Sequence, residues 1–167
     1  MTIQELNNLS ADKTFDELFK CCGSTTWAKQ LATKKPFESK EDLLHKSNWI
    51  WSNCSVEDGL EAFTHHPKIG DLKSLEKKFA TTKDWAGGEQ AGVNTASQNT
   101  LVALSDGNEA YFKKFGYIFI VCATGKTAEE MLALLNARLT NDANTEIKIA
   151  MDEQNKITHI RLEKLIE

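Results

Sequence analysis

Apolar residues recur every three or four positions along most of this chain, which is the spacing of one face of an α-helix. Two clear runs consist of Phe15, Leu18, Phe19 and Cys22, and of Met131, Leu132, Leu134, Leu135 and Leu139. Only two prolines interrupt the sequence, and no pair of β-rich runs is present to form a sheet. The pattern predicts an all-α fold, as a compact single domain over residues 1–167 with about eight or nine short helices.

Several helix starts are marked by a serine or threonine that precedes a carboxylate by three residues. This pattern begins at Thr2, Ser39, Ser55 and Thr127. The hydroxyl can accept a hydrogen bond from the free N–H three residues on, which predicts a helix after each of them. Asp12 and Ser24 are predicted to cap two further helices, and Gly23 is predicted to end the helix between them.

The middle of the chain is predicted to alternate helices with loops. Asp71 is expected to cap a helix over 72–80. A loop over 81–88 is expected to lead to a long helix that starts at Glu89, and Gly107 predicts a turn beyond it.

The last third of the chain combines a short apolar stretch with two helices. Gly116 is expected to stop the preceding helix, and the apolar residues 117–122 have no partner strand. We therefore expect an extended or helix-forming buried segment there. A polar break over 141–144 is predicted to precede a last helix that starts near Thr145.

The composition is that of an ordinary globular protein. Hydrophobic residues make up 41% and charged residues 26% of the sequence. The net charge of −4 and the lack of a basic stripe argue against nucleic acid as a partner, because phosphate binding requires a basic face. The longest apolar run, residues 117–123, is too short to cross a bilayer, so no membrane partner is expected either.

The N-terminal residues and the cysteines favour a cytoplasmic location. The sequence begins without the basic and apolar regions of a secretory signal. The four cysteines are Cys21, Cys22, Cys54 and Cys122, and none forms a Cys-x-x-Cys pair. Four reduced thiols in the cytosol are the simplest interpretation.

Two adjacent histidines next to a proline form the first candidate site. Pro67 disfavours helical geometry at the residue before it, so His66 is expected on a rigid corner between two helices. Imidazole is the usual group for proton transfer near neutral pH, which makes His66 a candidate catalytic residue. A packing role is the alternative. A metal site with His65 is another, but no nearby cysteine or acidic cluster completes a ligand set.

A second candidate site is the Glu89-Gln90 pair that follows two glycines. Gly87 and Gly88 allow the backbone to approach a ligand closely. Gln90 offers both a donor and an acceptor, and Glu89 could set the protonation of His66. The structural alternative is that Glu89 is favoured at a helix start by the helix dipole.

The last helix carries the third candidate, an arginine within the apolar stripe. At spacings of three and four, this stripe comprises Ile147, Ala150, Met151, Gln154, Ile157, Arg161 and Leu165. Arg161 is therefore predicted to lie on the buried face. A guanidinium is costly to bury without an anion, so Arg161 either forms an internal ion pair or lines a pocket for an anionic ligand, such as a substrate carboxylate.

Five short motifs, taken in order, resemble one known family. They are His66-Pro67-Lys68-Ile69-Gly70, Glu89-Gln90-Ala91, Phe115-Gly116-Tyr117-Ile118-Phe119-Ile120-Val121, Arg138-Leu139-x-Asn141 and Glu146. Over nearly its whole length the chain is similar to the 2-oxo-4-hydroxy-4-carboxy-5-ureidoimidazoline (OHCU) decarboxylases of the route from urate to allantoin. The resemblance implies an all-α enzyme that uses no cofactor and forms a homodimer.

The resemblance also implies roles for individual residues. His66 and Glu89 match the catalytic histidine and glutamate. Gln90 and Arg161 match positions that bind the substrate, and Pro67 matches one that contacts its ring. A further substrate-binding segment, matched mainly through backbone groups, consists of Phe119, Ile120, Val121, Cys122 and Ala123.

The reaction implied by the resemblance is the decarboxylation of OHCU to (S)-allantoin, with His66 and Glu89 transferring a proton to one face. One position departs from the family pattern, because Ala86 stands where the family often has a serine; backbone N–H groups would have to replace that hydrogen bond. Two other classes stay open from the residues alone. One is a non-catalytic helical module that binds an anionic small molecule or a partner protein, and the other is a metal-dependent hydrolase that uses His65 and His66.

Overall fold

The computed structural model describes residues 1–66, 72–83 and 91–167, and the regular elements within these ranges are all helices. They are α1 (Ile3–Asn8), α2 (Ala11–Cys22), α3 (Thr25–Ala32), α4 (Lys40–Ser52), α5 (Val56–Thr64), α6 (Leu72–Lys83), α7 (Ala91–Phe115), α8 (Ala128–Leu139) and α9 (Ala143–Leu165). The predicted all-α class is confirmed. Across the described ranges, no helix has both the length and the apolar content of a membrane span.

Most predicted helix starts are confirmed, because they depend on contacts within a single turn. The confirmed caps are Thr2, Ser24, Ser39, Ser55 and Thr127. The predicted start of α2 is wrong, because Ser10 rather than Asp12 is the cap. Asp12 lies instead in the first turn, where the helix dipole favours a carboxylate.

Two predicted interruptions are also wrong. α6 continues to Lys83, so the loop does not begin at residue 81. α7 runs unbroken through Gly107, where a turn was predicted. A Cβ added at this glycine would lie only 2.6 Å from Cδ2 of Leu135, so Gly107 is needed for the close packing of α7 on α8. Gly116 ends α7 as predicted, with a φ of +82°.

The remaining boundaries follow from local hydrogen bonds where the structure describes them. α9 begins at Ala143, two residues before the predicted Thr145, because the carboxylate of Asp142 accepts a hydrogen bond of 2.9 Å from the Thr145 N–H. The predicted cap Asp71 and the predicted helix start at Glu89 lie outside the described residues.

The apolar segment between α7 and α8 is irregular and partly buried. Ile120 and Cys122 are buried, and Phe119, Val121 and Ala123 are half-buried. Of the two predicted conformations for this segment, the helical one is therefore wrong.

The chain divides into two compact units. The first comprises residues 1–66, 120–122 and 147–167. The second contains, of the described residues, 72–83, 91–119 and 123–146.

The core of the first unit is formed mainly by α1 to α5 and α9. Its buried side chains include Leu6, Leu18, Trp27, Leu31, Leu43, Ile50 and Leu162. The indole N–H of Trp27 donates to the carbonyl of Ser47 at 3.2 Å, so this large side chain is buried with its polar atom satisfied. α4 and α9 are joined in the same way, because the Trp51 indole donates to the carbonyl of Met151 at 3.0 Å.

The second unit is organised around α7 and α8. Its buried apolar side chains include Leu101, Leu104, Met131 and Leu135. Glu146, which is completely buried, also belongs to this unit. A carboxylate in such a position requires partners of opposite charge.

Candidate active site

α5 carries the two adjacent histidines at its C-terminal end, where His65 is the cap residue. This helix is anchored by Glu61, whose carboxylate accepts hydrogen bonds from the N–H of Thr25, at 2.9 Å, and from its hydroxyl, at 2.5 Å. The contact ties α5 to the start of α3. The two histidines therefore follow a helix whose last turn is held in place by hydrogen bonds.

His65 is exposed to solvent but packs against α2 and its end on two sides. Its ring meets the ring of Phe19 edge-on, with the centroids 4.9 Å apart. On another side it lies against Gly23, where an added Cβ would be 2.7 Å from the Cβ of His65. Gly23 has a φ of +82° at the end of α2, so both its backbone and the space beside it require glycine.

His66 is held by a buried amide of α9. Its Nε2 lies 2.5 Å from Oε1 of Gln154. Gln154 is completely buried, and its amide nitrogen donates to the carbonyl of Cys22, at 3.4 Å, and to the hydroxyl of Thr158, at 3.2 Å. The ring of His66 is thus connected to the end of α2 through one side chain.

The surroundings of His66 favour its neutral form. Burial lowers the pKa of His66 below its usual value, and the hydrogen bond to Gln154 opposes this effect only in part. Electrostatic repulsion from Arg161, and to a smaller extent from His65, lowers the pKa of His66 further. At neutral pH the imidazole is therefore uncharged and able to accept a proton.

Arg161 is half-buried rather than buried, so the predicted position on the buried face of α9 is wrong. α9 buries every fourth residue in one row, and this row comprises Glu146, Ala150, Gln154, Thr158 and Leu162. Arg161 precedes Leu162 by one residue, which turns it by about 100° to the margin of that face. Because the apolar stripe was predicted with spacings of both three and four, it included Arg161, although the buried row passes through Leu162.

The guanidinium of Arg161 keeps its capacity to bind an anion. Its Nη1 donates to the carbonyl of Cys21 at 3.4 Å, which is a long contact. No carboxylate of the described chain forms an ion pair with it, so the predicted internal ion pair finds no support there. Arg161 acts on the pKa of His66, which places the two side chains in one electrostatic environment.

The irregular segment contributes to the first unit through residues 120–122. The N–H of Cys122 donates to Oε2 of Glu153 at 2.7 Å, and the other oxygen of this carboxylate pairs with Lys156. Glu153 thereby fixes the path of the segment next to α9.

Phe119, in the second unit, lies against a buried cluster of polar side chains. The guanidinium carbon of Arg138 is 4.5 Å from the centroid of its ring, which is a cation–π contact. Arg138 pairs with the carboxylate of Glu146 at 2.6 Å, and the hydroxyl of Tyr111 donates to the same carboxylate. Asn141 donates to the second oxygen at 3.0 Å. The cluster keeps the Arg138–Glu146 ion pair inside the protein, and its guanidinium packs against one face of Phe119.

Within the part of the chain that the structure describes, neither the cysteines nor a metal-ligand group forms a second candidate site. None of the four cysteines is in a disulfide. Burial raises the pKa of Cys21 to about 11 and that of Cys22 to about 12, so both thiols are protonated at neutral pH. Among the described residues, no three His, Cys, Asp or Glu side chains form a group that could hold a metal ion.

The residues predicted for the site fall into three groups: those in the first unit, those in the second unit and those outside the described residues. His66, Arg161 and residues 120–122 belong to the first unit. Phe119 and Ala123 belong to the second unit. Pro67, Glu89 and Gln90, together with Ala86, lie outside the described residues, so their predicted roles stay predictions.

Sequence reasoning missed two residues that hydrogen-bond to candidate site positions, Gln154 and Glu153. Gln154 stood in the apolar stripe, and a polar amide there was the available indication of a buried hydrogen-bonding role. Nothing in the sequence indicates the contact from Glu153 to the Cys122 N–H, which joins residues 31 positions apart.

Comparison with known proteins identifies the family. The model of the family described as OHCU decarboxylase matches residues 7–163. The chain belongs to the OHCU decarboxylase family. The match extends from α1 into α9 and so covers every described element that positions His66 and Arg161.

Curated relatives of this family member fall into two groups. The chain is 40% identical to the uric acid degradation bifunctional protein TTL of Arabidopsis thaliana over 90% of its own length. It is 28% identical, over 99% of its length, to the corresponding bifunctional protein PucL of Bacillus subtilis. It spans only 46% and 33% of these two proteins. The OHCU decarboxylase of Haloferax volcanii is 24% identical, and the match covers 97% of this chain and 94% of that protein.

Solved structures show the same fold. An OHCU decarboxylase crystallised in the presence of (S)-allantoin superimposes with a TM-score of 0.71 at 38% identity, covering 90% of this chain and 96% of the other. An (S)-allantoin synthase superimposes with a TM-score of 0.72 over 99% of this chain and 54% of the other. At 19% identity, this second likeness shows the fold alone.

Proposed function

We propose that this protein catalyses the decarboxylation of OHCU to (S)-allantoin in urate degradation, without a cofactor. The observation that carries the proposal is the half-buried His66, whose depressed pKa keeps it neutral beside the cationic Arg161. Family membership and the 38%-identical decarboxylase crystallised with (S)-allantoin support the same substrate class.

In this reaction the protein has to orient the substrate and transfer a proton. The substrate carries a carboxylate and a hydroxyl on one ring carbon, next to an electron-poor C=N unit. When the bond to CO2 breaks, that conjugated unit accepts the electron pair. The protein must hold the carboxylate out of the ring plane, stabilise the developing charge and direct a proton to one face.

We assign the proton transfer to His66. A neutral imidazole can take up a proton and return it near neutral pH, and the hydrogen bond to Gln154 fixes the orientation of this ring. On the family resemblance, Glu89 polarises His66 or exchanges a proton with the substrate hydroxyl. Protonation from one side gives a single enantiomer of allantoin.

We assign substrate binding to Arg161 and, on the family resemblance, to Pro67, Gln90 and the backbone of residues 119–123. Arg161 anchors the carboxylate or a ring carbonyl, because a guanidinium presents several donors to one anion. Glu153 already holds the N–H of Cys122, so we assign it the task of keeping the segment in place. On the same resemblance, we propose that the protein acts as a homodimer.

The test is circular dichroism over time on OHCU generated freshly from urate by an oxidase and a hydroxyisourate hydrolase. The wild-type protein should produce the signal of one allantoin enantiomer rapidly. His66→Asn should lower kcat by about 100-fold or more, because general acid–base catalysis contributes that much. The matched control is His45→Asn, which alters an exposed histidine of α4 and should keep full activity.

Two results would contradict the proposal. An unchanged slow decay to a racemate with the wild-type protein would exclude decarboxylation and favour a module that binds an anionic small molecule. Equal activity of His66→Asn and His45→Asn would exclude His66 as the proton-transfer residue.

A further inference from the structure

The orientation of the Gln154 amide is fixed by a partner that can only accept. The carbonyl of Cys22, which is the last residue of α2, lies 3.4 Å from the amide nitrogen of Gln154, which is again a long hydrogen bond. A backbone carbonyl has no proton to donate, so the NH2 end of the amide must face it. The same end donates to the hydroxyl of Thr158 at 3.2 Å. The oxygen Oε1 must therefore face His66.

The oxygen of an amide can only accept, and this determines where His66 carries its proton. Because Oε1 of Gln154 lies 2.5 Å from Nε2 of the ring, Nε2 must be the donor. We propose that Gln154 is a positioning residue that holds neutral His66 as its Nε2–H tautomer and leaves Nδ1 as the nitrogen that exchanges protons with the substrate. The catalytic part of this inference rests on the proposed function.

The proton path through His66 then has a defined beginning and end. The lone pair of Nδ1 takes up a proton, and the ring becomes an imidazolium with one N–H on each nitrogen. The same Nδ1 later gives the proton up and regains its lone pair. The Nε2–H bond and its hydrogen bond to Gln154 are unchanged throughout, so the ring does not have to turn between the two transfers.

A neutral amide suits this task better than a carboxylate. Within the described chain, the charged and titratable groups that act on His66 are Arg161 of α9 and the adjacent His65, and both disfavour the imidazolium. A carboxylate at position 154 would favour the imidazolium and raise the pKa of His66. Gln154 orients the ring while adding no charge, so His66 stays neutral at the pH at which it must accept a proton.

The direct test is two-bond 1H–15N NMR of protein labelled at histidine nitrogen. At a pH where the ring is neutral, the His66 resonance, identified by its loss in His66→Asn, should show protonated Nε2 and unprotonated Nδ1. Gln154→Met has a similar length but no acceptor, so it should give a mixture of both tautomers. Gln30→Met, an exposed glutamine of α3, is the matched control and should leave the tautomer unchanged.

Activity provides a second measurement. Gln154→Met should lower kcat by about 10- to 100-fold, by analogy with the loss of groups that orient metal-binding histidines. kcat/KM should rise with pH as His66 loses its proton. Gln154→Glu should move this rise to higher pH by about one pH unit or more, because a carboxylate raises the pKa of the histidine it contacts. A residue that only stabilised the fold would not move the pH profile.

A wild-type ring protonated at Nδ1 would overturn the inference, and this measurement does not depend on any variant folding. A wild-type tautomer and pH profile retained in folded Gln154→Met would overturn it as well. If the wild-type protein fails to decarboxylate OHCU but shows the predicted tautomer and its loss in Gln154→Met, the proposed function fails while the role of Gln154 in setting the tautomer stands.

Discussion

At the residue scale, Glu146 occupies the most demanding environment described in the chain. Its carboxylate is completely buried and pairs with Arg138, which is only 7% exposed. Replacing it by glutamine would remove the carboxylate that pairs with the Arg138 guanidinium inside the protein. We expect Glu146→Gln to lower the free energy of unfolding by about 3–5 kcal/mol, as measured by urea denaturation followed by circular dichroism.

The control for this prediction is an exposed ion pair on α7. Glu109 pairs with Lys113 at 2.8 Å, but both side chains are largely in solvent. Glu109→Gln should therefore leave the urea midpoint unchanged, because water screens the attraction. Comparable losses in the two variants would mean that burial does not determine the strength of the Glu146 pair.

At the scale of elements, the packing of α7 on α8 depends on the missing side chain at Gly107. Alanine is the better helix former by about 1 kcal/mol. The overlap of its Cβ with Leu135 should outweigh that gain and cost about 1–3 kcal/mol, so Gly107→Ala should lower the unfolding free energy. Thermal and urea unfolding of the variant would measure this loss of stability. The double variant with Leu135→Ala should lose less than the sum of the two single changes, and strict additivity would refute the contact.

The elements also show where sequence reasoning succeeds and where it fails. The caps at Thr2, Ser55 and Thr127 were predictable, because each hydrogen bond closes within three residues. Gly107 was misassigned to a turn. The residue that requires a glycine there is Leu135, which lies 28 positions away along the chain. Glycine can mark either a turn or a close approach, and only the tertiary structure separates the two.

At the scale of the whole molecule, the all-α class was predictable and His66 could be named as a candidate, while the hydrogen bond that supports this histidine could not be predicted. His66 could be selected because proline follows it and imidazole titrates near neutral pH. Gln154 is 88 positions from His66 and 132 from Cys22, so no local pattern connects the three. Arg161 was found, but its burial was overestimated, because one residue of error along a helix turns a side chain by about 100°.

A prediction at this scale concerns metals. In the proposed decarboxylation the conjugated substrate itself accepts the electron pair of the broken bond, so we expect dialysis against EDTA to leave the rate of (S)-allantoin formation unchanged. Metal analysis of the purified protein should accompany the assay. Loss of activity on dialysis and its recovery with a single added divalent ion would contradict the mechanism and return attention to His65 and His66.

The buried cluster of Tyr111, Arg138 and Glu146 has a consequence for how this sequence can diverge. Exchange of Arg138 or Glu146 alone takes the opposite charge away from the other, and loss of the Glu146 carboxylate also removes the acceptor of the Tyr111 hydroxyl. A lineage that loses one of the two charged members must pass through a poorly stable intermediate unless the other positions change with it. These positions should therefore covary across descendants, being either inherited as a set or replaced together by apolar residues.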